Sequence, residues 1–298
     1  MGSAVRRKLE SEGYRNLIFR PHAALDLTRQ KEVEDFFAGE GPEYVFLCAA
    51  KVGGIVANST YPAEFIYRNI MISTNVIHTS YTCGVKKLIN LGSSCVYPRN
   101  APQPLKEEYL LSSPLEPTNE AYAVAKIAAI KLCRYYNEQY GTDFMSVMPT
   151  NLYGPQDNFD LETSHVLPAL IRRFHEAKAE SAPRVTLWGT GSPLREFLFI
   201  DDLAGACVFV MQNFHAREIG EFVNIGTGSD ISIRELARLI AGIVGYRGEI
   251  LWDPAKPDGM ARKLMDVSRV NAMGWKATTS LEEGIKKTYE WYKKNKFR

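Results

Sequence analysis

No apolar run in this sequence approaches the roughly 18 to 20 residues that a membrane span needs. The longest, such as Tyr44 to Ala50, stop far short of it. The first residues, Met1-Gly2-Ser3-Ala4-Val5-Arg6-Arg7, lack the apolar block of a secretory signal. Cysteine is scarce: Cys48, Cys83, Cys95, Cys133 and Cys207 form no CxxC pair, an odd and scattered set that reads as reduced thiols in a cytoplasmic protein. An excess of one charge is missing too. Thirty-six basic against 34 acidic side chains leave +2 over 298 residues, which argues against a nucleic-acid or membrane-surface partner. Any anionic ligand must therefore be met locally, and no metal is expected. Internal repeats and low-complexity blocks are absent as well.

What is present is an ordinary globular composition, 45% hydrophobic and 23% charged. Periodicity places a helix over Ser3 to Glu12, a short strand at Tyr14 to Phe19, and a helix from Thr28, its expected cap, to Ala38. Tyr44 to Cys48 reads as a buried strand. Long helices at Pro62 to Thr82 and Glu120 to Tyr140 lead to strands Lys87 to Leu91 and Phe144 to Met148. This alternation predicts an α/β fold with a Rossmann-like, doubly wound parallel sheet. After Pro149 it loosens, with helices near His165 to Lys178, Asp201 to Asn213, Ile233 to Val244 and Leu281 to Lys294. We expect residues 1–150 to form a dinucleotide-binding domain. Residues 151–298 are expected to form mainly a smaller α/β substrate-binding domain, with some segments returning to the first. A doubly wound nucleotide fold usually opens with a strand and a glycine-rich turn. This sequence begins in what reads as the following helix, so that first strand is missing, and Gly2 stands where the last glycine of the turn would sit.

Strand Lys87 to Leu91 runs into Gly92-Ser93-Ser94-Cys95, and Tyr122 and Lys126 follow at i and i+4 on a helix. They share a face, so the ammonium is expected to favour tyrosinate and lower the phenol pKa, letting Tyr122 pass a proton to a carbonyl oxygen as hydride arrives. Ser93, at the carboxyl edge of a parallel strand, is placed to hold the same oxygen. The same spacing recurs at Tyr289 with Lys293 and Tyr292 with Lys296, on a terminal helix that reads as a solvated face.

Taken together, several blocks resemble the extended short-chain dehydrogenase/reductases. They are Ala49-Ala50-Lys51-Val52-Gly53-Gly54-Ile55, Leu91-Gly92-Ser93-Ser94-Cys95-Val96-Tyr97-Pro98, Pro149 to Pro155 with Asp157-Asn158-Phe159, Trp188-Gly189-Thr190-Gly191, and Lys256-Pro257-Asp258-Gly259. Within that family the sequence is similar to the enzymes of nucleotide-sugar biosynthesis that use NADPH to convert GDP-4-dehydro-6-deoxy-D-mannose to GDP-L-fucose. That reaction inverts C3 and C5 and reduces C4. The family's first strand and the first two glycines of its GxxGxxG are absent here.

The resemblance assigns acid/base work at C3 and C5 to Cys95 and His165. A thiol and an imidazole suit that work near neutral pH. Where the sugar-nucleotide dehydratases carry an acidic pair, this sequence has Cys95 and Val96. Arg20, followed by Pro21 and His22 after the strand at Tyr14 to Phe19, suits a 2′-phosphate and so favours NADP(H) over NAD. By resemblance, Asp26 and Leu27 flank the adenine. Gly2, Leu91, Gly92, Ser94, Lys126 and His165 join the cofactor site, and Pro149, Thr150, Asn151 and Leu152 line the nicotinamide. Arg173, Arg195 and Lys263 match positions that meet the substrate diphosphate, for which arginine's planar fork is suited. Trp188 and Asp258 match positions around the nucleotide. Two alternatives stay open: a chain that only binds the GDP-sugar, and another NAD(P)-linked sugar-nucleotide epimerase. A homodimer is also expected, because the two long helices are apolar on more than one face and would pack with their symmetry mates as a four-helix interface.

Overall fold

The computed structural model describes residues 1–161, 163–256 and 258–295. Its first half runs α1 (Gly2–Ser11), α2 (Gln30–Glu40), β1 (Tyr44–Leu47), α3 (Ile55–Thr60), α4 (Pro62–Thr82), β2 (Lys87–Leu91), α5 (Glu120–Tyr140) and β3 (Phe144–Pro149). The second half runs β4 (Asn151–Tyr153), α6 (Val166–Ala179), β5 (Arg184–Trp188), β6 (Leu194–Phe199), α7 (Ile200–Asn213), α8 (Ala216–Ile219) and β7 (Val223–Ile225). It continues with β8 (Asp230–Ser232), α9 (Ile233–Val244), β9 (Glu249–Asp253), β10 (Arg262–Lys263), α10 (Ser268–Ala272) and α11 (Leu281–Asn295).

The main sheet has the order β1-β2-β3-β7 with every pair parallel. Parallel neighbours need crossovers, and α4 and α5 supply the first two. Alternation along the strands sorts the core onto two faces. Leu88 and Phe144 pack with Val33, Phe37, Val76 and Ile77 beneath α2, α4 and α5. Ile89 and Met145 pack with Leu203, Cys207 and Val210 of α7 on the other face. The expected doubly wound parallel sheet is therefore present. Beyond it, β4, β6 and β10 form a parallel set with β8 antiparallel to β6, and β5 pairs with β9. A second core joins α6, α9 and α11 through Ile171, Phe174, Ile240 and Ile285.

Local chemistry explains several boundaries. Proline opens α4, where its missing N–H costs nothing. Gly141 ends α5 in the left-handed conformation at φ 66°. A capping box between Ser232 and Glu235 starts α9.

Three expectations are corrected. Tyr14 to Phe19 forms no strand. Among the described residues the sheet ends at β1, which pairs only with β2, so this segment has no neighbour with which to build a ladder. Phe19 instead lies under the Arg6 guanidinium, 4.0 Å from its ring centre. Thr28 does not cap α2, because its N–H and hydroxyl both donate to the Asp26 carboxylate at 3.0 and 2.8 Å, and the helix begins at Gln30. The terminal helix is not a solvated face at its tyrosines: Tyr289 and Tyr292 are buried in the second core. Lys296 lies outside the described residues.

Candidate active site

The carboxyl ends of β2 and β3 are built for close approach. A Cβ on Gly92 would lie 2.7 Å from the Met148 methyl and 3.2 Å from the Val147 carbonyl, so a larger residue there would have to displace the Met148 side chain and crowd the end of β3. Ser93 follows in extended conformation, and its hydroxyl accepts a 3.4 Å bond from the Cys95 N–H. The buried Ser94 and half-buried Cys95 sit in the short turn that this bond fixes. Pro149 ends β3. The next residues are tied to β6: Asn151 donates to the Glu196 carbonyl at 2.7 Å and Thr150 to the same oxygen at 3.4 Å. Leu152 packs against the small core of Ala4, Val5, Ile200 and Ala204.

Tyr122 meets this edge from α5. The Ser93 hydroxyl and the Cys95 sulfur both act on the phenol, and Phe65 packs edge-on at 6.2 Å. Its acidity departs from expectation. Burial pushes the Tyr122 pKa well above the usual range, Cys95 adds to this, and the Ser93 hydrogen bond opposes it. Lys126 does not lower it, because its ammonium donates to the Leu91 carbonyl at 2.8 Å. At 7% exposure that ammonium is itself pulled down to about 8 by burial.

Cys95 is clasped from two sides. Asn119 donates its side-chain N–H to Sγ at 3.4 Å, and the Lys263 ammonium lies 4.0 Å from the same sulfur. His165 precedes α6 at the N-cap position, yet its ring makes no capping bond. The residue is exposed at the mouth of the site, and its pKa is lowered, first by partial desolvation of the ring and then by the Lys263 charge. Both effects favour the neutral imidazole that a general base needs.

The register of β10 on β6 sets Lys263 beside Arg195. Burial works against the Arg195 charge, and Asp258 works for it. The Asp258 carboxylate also accepts from the Thr190 N–H at 3.0 Å and the Thr190 hydroxyl at 2.7 Å, fixing the turn after Trp188. Trp188 is 60% exposed, with the Lys256 ammonium 5.5 Å from its ring centre, so it is a surface ring available for stacking and not a core residue. Pro257 lies outside the described residues.

An unbroken series of neighbours thus runs from Ser93 through Tyr122, Cys95 and Lys263 to His165, Arg195 and Asp258. Arg173, on α6, is half-buried, and no hydrogen bond or ion pair joins it to this series among the described residues. Arg20, Asp26 and Leu27 lie near α2. The Arg20 guanidinium is paired with Glu40 and lies 5.5 Å from the Phe36 ring centre. Asp26 is occupied by Thr28, and the Leu27 carbonyl accepts from Asn75 at 2.9 Å. Gly2 opens α1.

Two residues escaped the sequence reading. Asn119 carries no signal beyond preceding a helix. Glu196 is fully buried. One of its oxygens accepts from the N–H groups of Thr227 and Gly228 at 2.5 and 2.8 Å, and the other accepts from Met265 at 2.8 Å. Burial raises its pKa against these bonds. Its backbone carbonyl holds Thr150 and Asn151, so this one residue ties the end of β3 to the strand that presents Lys263.

Residues 1–226 match the NAD dependent epimerase/dehydratase family. The probable GDP-L-fucose synthase 1 of Oryza sativa subsp. japonica is 60% identical over 296 residues, covering 99% of this chain and 89% of its own. The GDP-L-fucose synthase of Escherichia coli strain K12 is 54% identical over 304 residues, covering 100% and 95%. Among solved structures, a GDP-L-fucose synthetase from Naegleria fowleri bound to NADP superposes with a TM-score of 0.90 at 29% identity, over 99% of this chain and 91% of that one. The chain is a member of the NAD dependent epimerase/dehydratase family, in the group of the GDP-L-fucose synthases.

Proposed function

We propose that the protein converts GDP-4-dehydro-6-deoxy-D-mannose to GDP-L-fucose, inverting C3 and C5 and reducing C4 with NADPH. The observation that carries this reading is the placement of the Cys95 sulfur beside Tyr122, between the Asn119 amide and the Lys263 ammonium. A thiol at that point stands next to the groups that would hold a carbonyl oxygen, within reach of the carbons flanking it.

The chain's own residues divide the work. Ser93 and Tyr122 hold the C4 oxygen by hydrogen bonds, which stabilise the enolate formed when a neighbouring carbon loses its proton. Cys95 and His165 take and return protons on the two faces of the sugar, first at one carbon and then at the other. Tyr122 finally gives its proton to the C4 oxygen. Lys263, Arg195 and Arg173 meet the diphosphate, and Trp188 and Asp258 the nucleoside.

The residues present fit a nicotinamide dinucleotide. The Gly92 close approach, the buried Lys126 and the segment Pro149 to Leu152 converge at the carboxyl edge of the sheet, where this fold takes such ligands. Bound NADPH supplies the hydride to C4. Gly2, Leu91, Ser94 and His165 complete that side of the site. Asp26 and Leu27 would flank the adenine. Arg20 would receive the 2′-phosphate by exchanging Glu40 for it.

On this reading residues 1–150 serve mainly the dinucleotide and residues 151–298 mainly the sugar nucleotide. The protein acts as a cytoplasmic homodimer through α4 and α5. NADPH oxidation with the GDP-linked 4-keto sugar, compared with UDP- and dTDP-linked 4-keto sugars, tests the assignment. Turnover confined to the GDP compound, with L-fucose recovered after hydrolysis, is expected. Equal turnover of all three would overturn it.

A further inference from the structure

Asn119 occupies the N-cap position of α5, where an asparagine side chain ordinarily accepts from the helix's first N–H groups. Here it makes no capping bond. Its N–H instead reaches the Cys95 sulfur at 3.4 Å, and its carbonyl oxygen is buried without a partner. The helix thus begins without its cap, and a polar oxygen is left unpaired, where this side chain meets the proposed base. Unpaired buried oxygens are rare enough to require a reason. Asn119 is of a type that can cap, as Ser232 does at the start of α9, so its turn toward the sulfur is a choice between two available partners.

We propose that Asn119 is a positioning residue for the Cys95 sulfur, its carboxamide partnering both the thiolate and the thiol as the proton passes to and from the sulfur. This rests on the reading of Cys95 as an acid/base group. A thiolate only accepts hydrogen bonds, whereas a thiol donates one. A carboxamide carries both a donor and an acceptor, and its terminal torsion is broad enough to exchange them. In the step itself, the proton of a carbon beside the C4 ketone moves to the sulfur, and the electron pair of that C–H bond passes into the enolate. The new S–H then turns to the Asn119 oxygen once the carboxamide rotates. His165 gives a proton to the opposite face of the enolate, which completes the inversion, and loss of the sulfur's proton to solvent restores the thiolate and the first orientation of the carboxamide. Lysine cannot substitute for this, since an ammonium has donors only. The charged or titratable groups facing the sulfur are Lys263 from β10 and Tyr122 from α5, and the Lys263 charge also acts on His165 ahead of α6.

The test is solvent deuterium incorporation at C3 and C5 of GDP-4-dehydro-6-deoxy-D-mannose without NADPH, followed against pH. It is run in the wild type and in Cys95→Ser, Asn119→Asp and Asn119→Ser. Loss of exchange in Cys95→Ser secures the reading of the thiol, and persistence of exchange there would remove the premise of the proposal. Asn119→Asp keeps an acceptor and loses the donor. Its exchange at neutral pH is expected to fall about tenfold or more and to recover in more alkaline buffer, with KM within about twofold. Asn119→Ser restores an ordinary cap but is too short to reach the sulfur, so it should fold at least as well and lose exchange to a similar extent. The proposal is overturned if Asn119→Ser exchanges like the wild type. It is overturned equally if Asn119→Asp loses exchange by one factor at every pH.

Discussion

The Lys126 ammonium is bonded to the Leu91 carbonyl at 2.8 Å and stands 5.9 Å from the centre of the Tyr122 ring. It is anchored to the strand end and not to the phenol one turn before it. Its burial has a consequence for stability. The folded chain binds this proton with a pKa of about 8, and the unfolded chain binds it near 10.5. The unfolded state therefore holds more proton between those values, and this group makes stability rise as pH rises through that window. Denaturant unfolding of Lys126→Met should lack that rise. The variant's stability relative to wild type should be greatest at neutral pH and decline toward pH about 10.

Glu196→Gln should be severe for a conservative change. Three backbone N–H groups aim at its two oxygens, and a glutamine must turn its own N–H groups toward one set of them. A loss of about 2 to 4 kcal/mol in urea unfolding is expected, with a raised KM for the GDP-sugar because Met265 lies two residues from Lys263.

Trp188→Ala should leave the melting temperature unchanged, since the ring is mostly in solvent. If the ring stacks on the nucleotide, its loss weakens binding by about 1 to 3 kcal/mol, a rise in KM of roughly tenfold or more with kcat preserved. Steady-state kinetics separates the two parameters.

Asp157 tests the opposite sign from Lys126. Burial raises its pKa to about 6, against the pull of the Asn158 N–H. The folded state prefers the protonated acid, so stability from this group is lost as pH rises from about 3.8 to 6. Asp157→Asn keeps an oxygen for Asn158 and removes the charge. It should stabilise the protein by roughly 1 to 3 kcal/mol at pH about 7 and by little below pH about 4, as read by unfolding at both.

Light scattering at micromolar concentration should give the mass of a dimer. Tyr67 on α4 is 60% exposed and Tyr135 on α5 is 54% exposed, large rings on helices whose other faces are already covered. Tyr67→Glu combined with Tyr135→Glu should yield a folded monomer, seen as halved mass with an unchanged circular dichroism spectrum.

The long helices could be read from the sequence to the residue because their signals are local. Pro62 opens α4, Gly141 closes α5, and Ser232 with Glu235 opens α9. The parallel strands followed from the same logic, since β2 and β3 are short apolar runs between helices. Tyr14 to Phe19 misled because a strand exists only through its neighbours. Ladder bonding is a property of pairs, and no single-segment pattern records it. Tyr122 misled for a similar reason. Its spacing from Lys126 is visible, but the carbonyl that takes the ammonium comes from another element. The Cys95 neighbourhood was half legible. The cysteine stands in a recognisable block, whereas Asn119 and Lys263 reach it from 24 and 168 residues away.

Asn119 and His165 both stand at the first position of a long helix and both leave that helix uncapped. A search for thermostability would target such positions first, since a serine or aspartate there commonly adds about a kcal/mol. At these two helix starts the gain in durability would come from replacing the side chains proposed to serve the acid/base chemistry, whereas α2 and α7 also begin uncapped, at Arg29 and Phe199. Hardening the fold at these two helix starts would exchange turnover for robustness, and stabilised variants should be sought at exposed positions elsewhere.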